Sequence, residues 1–220
     1  MGTFAVFGAG GHVGSQIVAE AVRRGHEVVA VLRSPGEVSG ARVVVGDVTD
    51  AGSVAAVARG CEAVITSVYS VDSPNGFHER AVAALAEGLG RVGVRRLVVV
   101  TAGSVLPVRP GVPFHDLDSF PAEYRGFSRA REHEVRLLAG TGLDWVAVAG
   151  PPSVLVDGDA TGEYAVSGEL EPYATPDGPS HDFPWQGQAL RAADLAHAAL
   201  GEADAPRHHR ALVGVAPRNP

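Results

Sequence analysis

The chain contains no lysine: all 18 of its basic residues are arginine. That absence removes a Schiff-base amine and the phosphate-cradling lysine of a P-loop. Cysteine is nearly absent too. Cys61 stands alone and precedes an apolar run, so it reads as a small core residue, no internal disulfide can form, and a reducing compartment is expected. No uninterrupted apolar run is long enough to span a bilayer, and the first apolar run has no basic leader before it. These features predict a cytoplasmic location and no membrane partner. No arginine-rich block occurs and the formal net charge is −7, so nucleic acid is not expected as a partner, because binding its backbone needs a concentrated basic face. Hydrolase signatures are missing as well. His133-Glu134 is followed by Leu137 where a zinc-binding helix would place its second histidine, and there is no Gly-x-Ser-x-Gly elbow. No metal is expected.

What is present is an alternating pattern. With 220 residues, 45% hydrophobic and 20% charged, the chain suits one well-filled domain. Period and composition predict strands over 3–7, 27–32, 42–45, 62–66, 95–101 and 143–149. Helices are predicted over 12–24, 51–59, 75–92 and 120–139, with Asp50 capping the second and Pro121 near the start of the last. Val13, Ile17, Val18, Ala21 and Val22 share one face of the first helix, and Gly25 ends it. Short strand-like pieces at 158–168, a loop at 171–188, a helix at 192–201 and a strand at 211–215 complete the reading. Regular strand–helix alternation implies an α/β fold, a parallel sheet with helices on both faces. Residues 1–220 read as a single domain. The Pro/Gly-rich stretches at 105–113 and 172–187 lie downstream of strand ends and read as active-site loops, and 151–190 as a substrate-binding lid.

The first strand runs directly into Gly8-Ala9-Gly10-Gly11-His12-Val13-Gly14, and a helix follows at once. Strand, glycine turn and helix together aim backbone N–H groups and a helix N-terminus at a phosphate, so a nucleotide pyrophosphate site is expected here. A site for NAD puts an acid about 20 residues on, to hold the ribose 2′-hydroxyl. This chain has Leu32-Arg33-Ser34 there. An acid would repel a 2′-phosphate, whereas Arg33 and the Ser34 hydroxyl can bind one, which favours NADP(H). The plainer alternative is that Arg33 stacks on the adenine or lies in solvent. His12 can also reach phosphate, or simply fill the helix start. Asp47, followed by Val48, either accepts from the adenine amino group or caps its own turn. Ser67, Val68 and Tyr69 follow the fourth strand, where the chain runs beside the nicotinamide ribose.

These residues together resemble the NAD(P)H-binding atypical short-chain dehydrogenases of the NmrA-like group. Within it the chain is similar to NADH-flavin reductases and biliverdin-reductase-B-like proteins. The shared pieces are residues 8–14 with their three-by-three glycine spacing, Val31-Leu32-Arg33-Ser34-Pro35, and Val45-Gly46-Asp47-Val48-Thr49-Asp50. Further matches are 96–101 with Ala102-Gly103-Ser104, Phe120-Pro121-Ala122-Glu123-Tyr124, Gly142-Leu143-Asp144-Trp145 and Thr161-Gly162-Glu163-Tyr164. The resemblance spans most of the chain to about residue 166 and resumes at 192–199. It implies an α/β fold with a doubly wound parallel sheet, the Rossmann fold, with a small C-terminal substrate-binding part, and NADPH-dependent reduction of a flavin, quinone or similar conjugated molecule. It also places Thr101–Ser104 and Gly150-Pro151-Pro152-Ser153 beside the nicotinamide. The chain departs from the group at the usual Tyr-x-x-x-Lys pair, because Ser128 stands four residues after Tyr124.

Hydride transfer to a flat conjugated ring needs mainly alignment and exclusion of water, which a site without that pair can provide. Thr101 and Ser104 are candidate orienting hydroxyls, or turn residues satisfying local backbone. Tyr124, His115, His181 and Asp182 are candidate acids. Tyr69, Phe114, Phe183 and Trp185 are candidate walls for a planar or aromatic small-molecule substrate, with Ser153 and His115 beside them. Two other readings keep the fold: a redox-neutral isomerase, dehydratase or cyclase, and a non-catalytic NADP-binding sensor. The sequence leaves the oligomeric state open.

Overall fold

A computed structural model of the chain describes residues 1–70, 76–151, 155–167, 173–175, 178–180 and 189–218. The elements run β1 (Thr3–Phe7), α1 (His12–Arg23), β2 (Glu27–Leu32), β3 (Arg42–Val45), α2 (Ala51–Ala58), β4 (Ala63–Thr66), α3 (Phe77–Val92) and β5 (Arg96–Thr101). A hairpin of β6 (Pro107–Arg109) and β7 (Val112–Pro113) follows, then α4 (Ala122–Ala139) and β8 (Asp144–Ala149). The C-terminal part holds β9 (Leu155–Val156), β10 (Tyr164–Ser167), β11 (Tyr173–Thr175), β12 (Gly178–Ser180), β13 (Leu190–Arg191), α5 (Ala192–Asp204) and β14 (Ala211–Pro217).

Eight strands form the central sheet in the order β10-β14-β8-β5-β4-β1-β2-β3. Every neighbouring pair is parallel except β10 with β14. From β1 the chain winds outward through β2 and β3, then returns to β4 and winds the other way. The reversal between β1 and β4 opens a crevice at the carboxyl ends of the strands. This is the parallel sheet that the alternation predicts, in the doubly wound Rossmann arrangement that the resemblance implies.

The strands are apolar on both faces because both are covered. Phe4, Val6, Val28, Ala30, Ile65, Val98, Val146 and Val148 pack with α1 and α5. Ala5, Phe7, Val29, Val31, Val64, Leu97, Val99 and Trp145 pack with α2, α3 and α4. Fully burying one such side chain stabilises the fold by about 1.5–3 kcal/mol. Asp50 caps α2 as predicted, accepting from the Ser53 N–H at 2.6 Å. Gly93 stops α3 at φ +76°, its N–H turned back to the Leu89 carbonyl.

Some local readings change. The stretch at 105–113 is a hairpin rather than a loop, and β11 pairs antiparallel with β12 inside the stretch read as loop at 171–188. Prolines at both ends of the first hairpin hide its alternation. α5 runs on past Gly201, because Glu202 and Ala203 continue its buried face. No helix among the described residues is long and apolar enough to cross a membrane.

Candidate functional site

The glycine turn sits between the ends of β1 and β4. Gly8 has φ +79°, and a Cβ on it would lie 2.6 Å from the Ser67 carbonyl oxygen. Both backbone conformation and space therefore require glycine. A Cβ on Gly14 would overlap the Gly8 carbonyl oxygen, so α1 can approach β1 closely only with glycine there. The Gly11 N–H donates to the Gly8 carbonyl at 3.0 Å and closes the turn. Gly10, Gly11 and His12 are exposed, whereas Val13 packs inward against the sheet. No side chain among the described residues caps α1, and no acid lies in its first turn. Its N–H groups and positive dipole end are thus free for an anion.

Beyond β2, Arg33 and Ser34 are both exposed. The Cβ position of Gly10 is 3.2 Å from a Leu32 methyl, so the end of β2 lies against the glycine turn. No ion pair or hydrogen bond joins Arg33 to another described residue. Asp47 Oδ1 accepts from the Thr49 N–H at 2.8 Å and the Thr49 hydroxyl at 2.7 Å. These two bonds cap its own turn. Val48 is buried in the core, and the Ser67 N–H donates to Phe7 at 2.9 Å, which keeps the β4 end beside the turn.

His12 Nε2 lies 2.9 Å from Asp157 Oδ1. This contact brings the segment after β9 to the phosphate end of the crevice. Buried Asp194, in the first turn of α5, anchors that segment. It accepts from the Thr161 N–H at 2.8 Å, the Thr161 hydroxyl at 2.9 Å and the Gly162 N–H at 2.9 Å.

Thr101 ends β5, and Ser104 lies in a single 3₁₀ turn just after it; both are buried. Helix α4 runs behind them. Ser128 hydrogen-bonds to Ser104 at 2.8 Å, and Arg131 Nε donates to Thr101 Oγ1 at 3.2 Å. Burial pulls the Arg131 guanidinium below its ordinary value, and the neighbouring Glu134 carboxylate opposes that shift. Tyr124, one helical turn before Ser128, is exposed. Tyr69 is 68% exposed and meets the edge of the Phe127 ring at 6.4 Å between centroids. Pro151 is buried after β8.

Two expected wall residues lie elsewhere. Phe114 is fully buried against Leu106, Phe120 and Ala149. His115 is 1% exposed, with Asp116 and Glu132 carboxylates at 3.3 and 3.2 Å from its two ring nitrogens. The Phe114 N–H donates to the Leu106 carbonyl, and Arg125 clamps the carbonyls of His115, Leu117 and Phe120 at 2.7, 2.8 and 3.0 Å. This folding turns both residues into a satellite core instead of the crevice wall. Ser153, His181, Asp182, Phe183 and Trp185 lie outside the described residues.

Sequence reasoning missed Arg131, Phe127 and the Ser104–Ser128 pair. Their trace was the spacing of Tyr124, Ser128 and Arg131 on one face of a helix whose composition otherwise looks solvated.

The glycine cradle and a helix start that no described side chain caps fit the pyrophosphate end of a nicotinamide dinucleotide. Comparisons with known proteins agree. A protein of Burkholderia pseudomallei, named as a candidate exported protein, is 30% identical; the match covers 98% of this chain and 100% of that one at a TM-score of 0.82. A candidate NADH-flavin reductase of Streptococcus pneumoniae TIGR4 is 24% identical over 99% of this chain and 100% of that one, with a TM-score of 0.84. ChuY, an anaerobillin reductase of Escherichia coli O157:H7, is 23% identical over 97% and 96%, with a TM-score of 0.72. The family model described as NAD(P)H-binding matches residues 8–202. The chain belongs to this NAD(P)H-binding family.

Proposed function

We propose that the protein is an NADPH-dependent oxidoreductase that passes hydride to a flat conjugated small molecule, a flavin or quinone. The observation that carries this reading is the composition of the crevice. Its β1–β2 side offers a helix start that no described side chain caps and an Arg33 that pairs with no described residue. Its β4–β5 side offers buried hydroxyls and an exposed aromatic edge. NADPH, when bound, supplies the hydride.

The chain's own residues bind and orient. The N–H groups of residues 10 and 12–14 hold the pyrophosphate, and Arg33 with Ser34 neutralises the 2′-phosphate. Ser67, Val68 and Pro151 border the nicotinamide end. Thr101 and Ser104 fix the reacting rings by hydrogen bonding. Tyr69 and Phe127 give a flat acceptor an aromatic surface to stack on. The chain holds no lysine, and Ser128 stands where a Tyr-x-x-x-Lys pair would need one, which disfavours ordinary carbonyl reduction and favours an acceptor that takes its proton from solvent. The names of the pneumococcal and E. coli relatives, a flavin reductase and an anaerobillin reductase, support the same class of acceptor. We assign residues 151–190 to a substrate-binding lid of this single domain; Ser153, His181, Phe183 and Trp185 within it lie outside the described residues. One buried cysteine, Cys61, suits a cytoplasmic setting.

The test is NADPH oxidation, followed at the nicotinamide absorbance, with a panel of flavins and quinones. Turnover with at least one of them is expected. Tight NADPH binding with no oxidation by any acceptor would overturn the proposal and favour a redox-neutral enzyme or a sensor.

A further inference from the structure

Arg131 is 2% exposed and reaches the ends of two strands from a helix. Its Nη1 donates to the Val68 carbonyl at 3.2 Å, and its Nη2 donates to the Val100 carbonyl. Nη1 also lies 2.9 Å from Glu134 Oε2 and 3.2 Å from His78 Nδ1. The Val68 carbonyl, the Glu134 carboxylate and the His78 imidazole thus all meet the cation at Nη1, while the Val100 carbonyl holds Nη2. The remaining donor, Nε, is the one that meets Thr101 Oγ1 at 3.2 Å.

A guanidinium only donates. The Thr101 oxygen must therefore accept from Arg131, and its own hydroxyl proton has to go elsewhere. No described residue accepts that proton. Thr101 is the last residue of β5, at the carboxyl edge of the sheet where the crevice opens. A hydroxyl that accepts from a buried cation is also a stronger donor, because hydrogen bonds in a chain polarise one another.

We propose that Arg131 is a positioning residue that makes Thr101 a one-way hydrogen-bond donor toward the carbonyl oxygen of the bound acceptor. The inference rests on the oxidoreductase reading. In the step it serves, the C–H bond of the reduced nicotinamide breaks and a hydride bonds to the acceptor. NADPH is oxidised to NADP⁺ and the acceptor is reduced by two electrons. Negative charge collects on the acceptor's carbonyl oxygen until water protonates it. Thr101 donates a hydrogen bond to that oxygen and keeps its proton throughout, while Arg131 fixes its direction. Such a bond strengthens as the charge develops, so it acts on kcat more than on KM.

The experiment uses the full chain with NADPH and menadione or riboflavin. Thr101→Val should lower kcat roughly 10- to 100-fold with KM changed less than about twofold, and Thr101→Ser should restore most of the loss. Arg131→Lys keeps the charge but loses the fork, and should lower kcat about as far as Thr101→Val. The double variant should be no worse than either single one. Glu134→Gln, which loosens Arg131 without removing it, should fall in the same direction by less, and carries the test if Arg131→Lys does not fold. A second readout needs no turnover: the infrared carbonyl stretch of menadione bound to the NADP⁺ complex. It should lie at lower frequency in the wild type than in Thr101→Val, with Arg131→Lys or Glu134→Gln moving it toward the Thr101→Val position. Multiplicative losses in the double variant, or a carbonyl stretch that ignores all of these variants, would overturn the inference while leaving the oxidoreductase reading standing. A wild-type protein that turns over no acceptor would overturn both.

Discussion

Gly14→Ala should damage both the cofactor site and the fold. The added methyl would overlap the Gly8 carbonyl oxygen and lie 2.7 Å from the Gly8 carbonyl carbon and 3.2 Å from Ala9 Cα. Every one of these neighbours is backbone, so no side chain can swing away. Either α1 must move off β1 or the turn must open. Overpacking of this kind costs about 1–3 kcal/mol. For a chain of this size each 1 kcal/mol lowers Tm by about 2–4 °C, so a fall of about 2–12 °C is expected. Opening the turn also redirects the N–H groups at the helix start. Losing one hydrogen bond to a charged phosphate costs about 1.5–3 kcal/mol, which raises the Kd for NADPH roughly 10- to 150-fold. Calorimetric titration with NADPH and a thermal melt measure both effects on one sample. A variant that binds NADPH like the wild type and melts at the same temperature would refute the packing argument, because it would mean that the turn tolerates a Cβ where the geometry leaves no room.

Further predictions concern stability. Gly88 and Gly90 lie two residues apart in α3, yet a Cβ on Gly88 would be 2.7 Å from both the Ala51 carbonyl oxygen and Val54 Cβ, while Gly90 has nothing within 4 Å. Urea unfolding should show Gly88→Ala destabilised by about 1–3 kcal/mol and Gly90→Ala stabilised by about 0.5–1 kcal/mol. Asp50→Ala should cost about 1 kcal/mol in the same assay, because it removes the α2 cap. Glu20 is held at about 2, below its ordinary 4.5, chiefly by its hydrogen bond to Arg23, with Arg24 adding to it. A carboxyl depressed in the folded state stabilises fully above its unfolded value and loses that contribution as pH falls through the folded one. The stability advantage of the wild type over Glu20→Gln should therefore be complete above about pH 4.5 and shrink toward pH 2; an advantage that persists at pH 2 would contradict the assignment.

What could be read in advance was the part set by near neighbours in sequence. The run Phe4-Ala5-Val6-Phe7, the face Val13-Ile17-Val18-Ala21 and the Asp50 cap each follow from spacing within a few residues, and the parallel sheet with helices on both faces follows from the strand–helix alternation. The glycine turn is legible for the same reason, since it is a continuous stretch whose function lies in its own backbone. Arg131 is different. An arginine on a helix rich in Arg and Glu reads as solvated, and its burial depends on Val68, Val100 and Thr101, which lie 30 to 63 residues away in the chain. Phe114 and His115 look like loop residues because their burial is decided by Leu106, Phe120 and the reach of Arg125. The hairpin at 107–113 is hidden by prolines that suit an isolated two-stranded ribbon but leave no alternation to read.

In the proposed function the site takes NADP(H) in preference to NAD(H), with Arg33 reading the 2′-phosphate. The most direct measurement is a pair of dissociation constants, for NADPH and for NADH, on the wild type and on Arg33→Asp. The wild type should prefer NADPH. The variant should lose roughly 10- to 100-fold or more in NADPH affinity, since it exchanges a charge-assisted bond for a repulsion, while NADH affinity changes little. Equal losses for the two cofactors, or a wild type that binds NADH as tightly as NADPH, would contradict it.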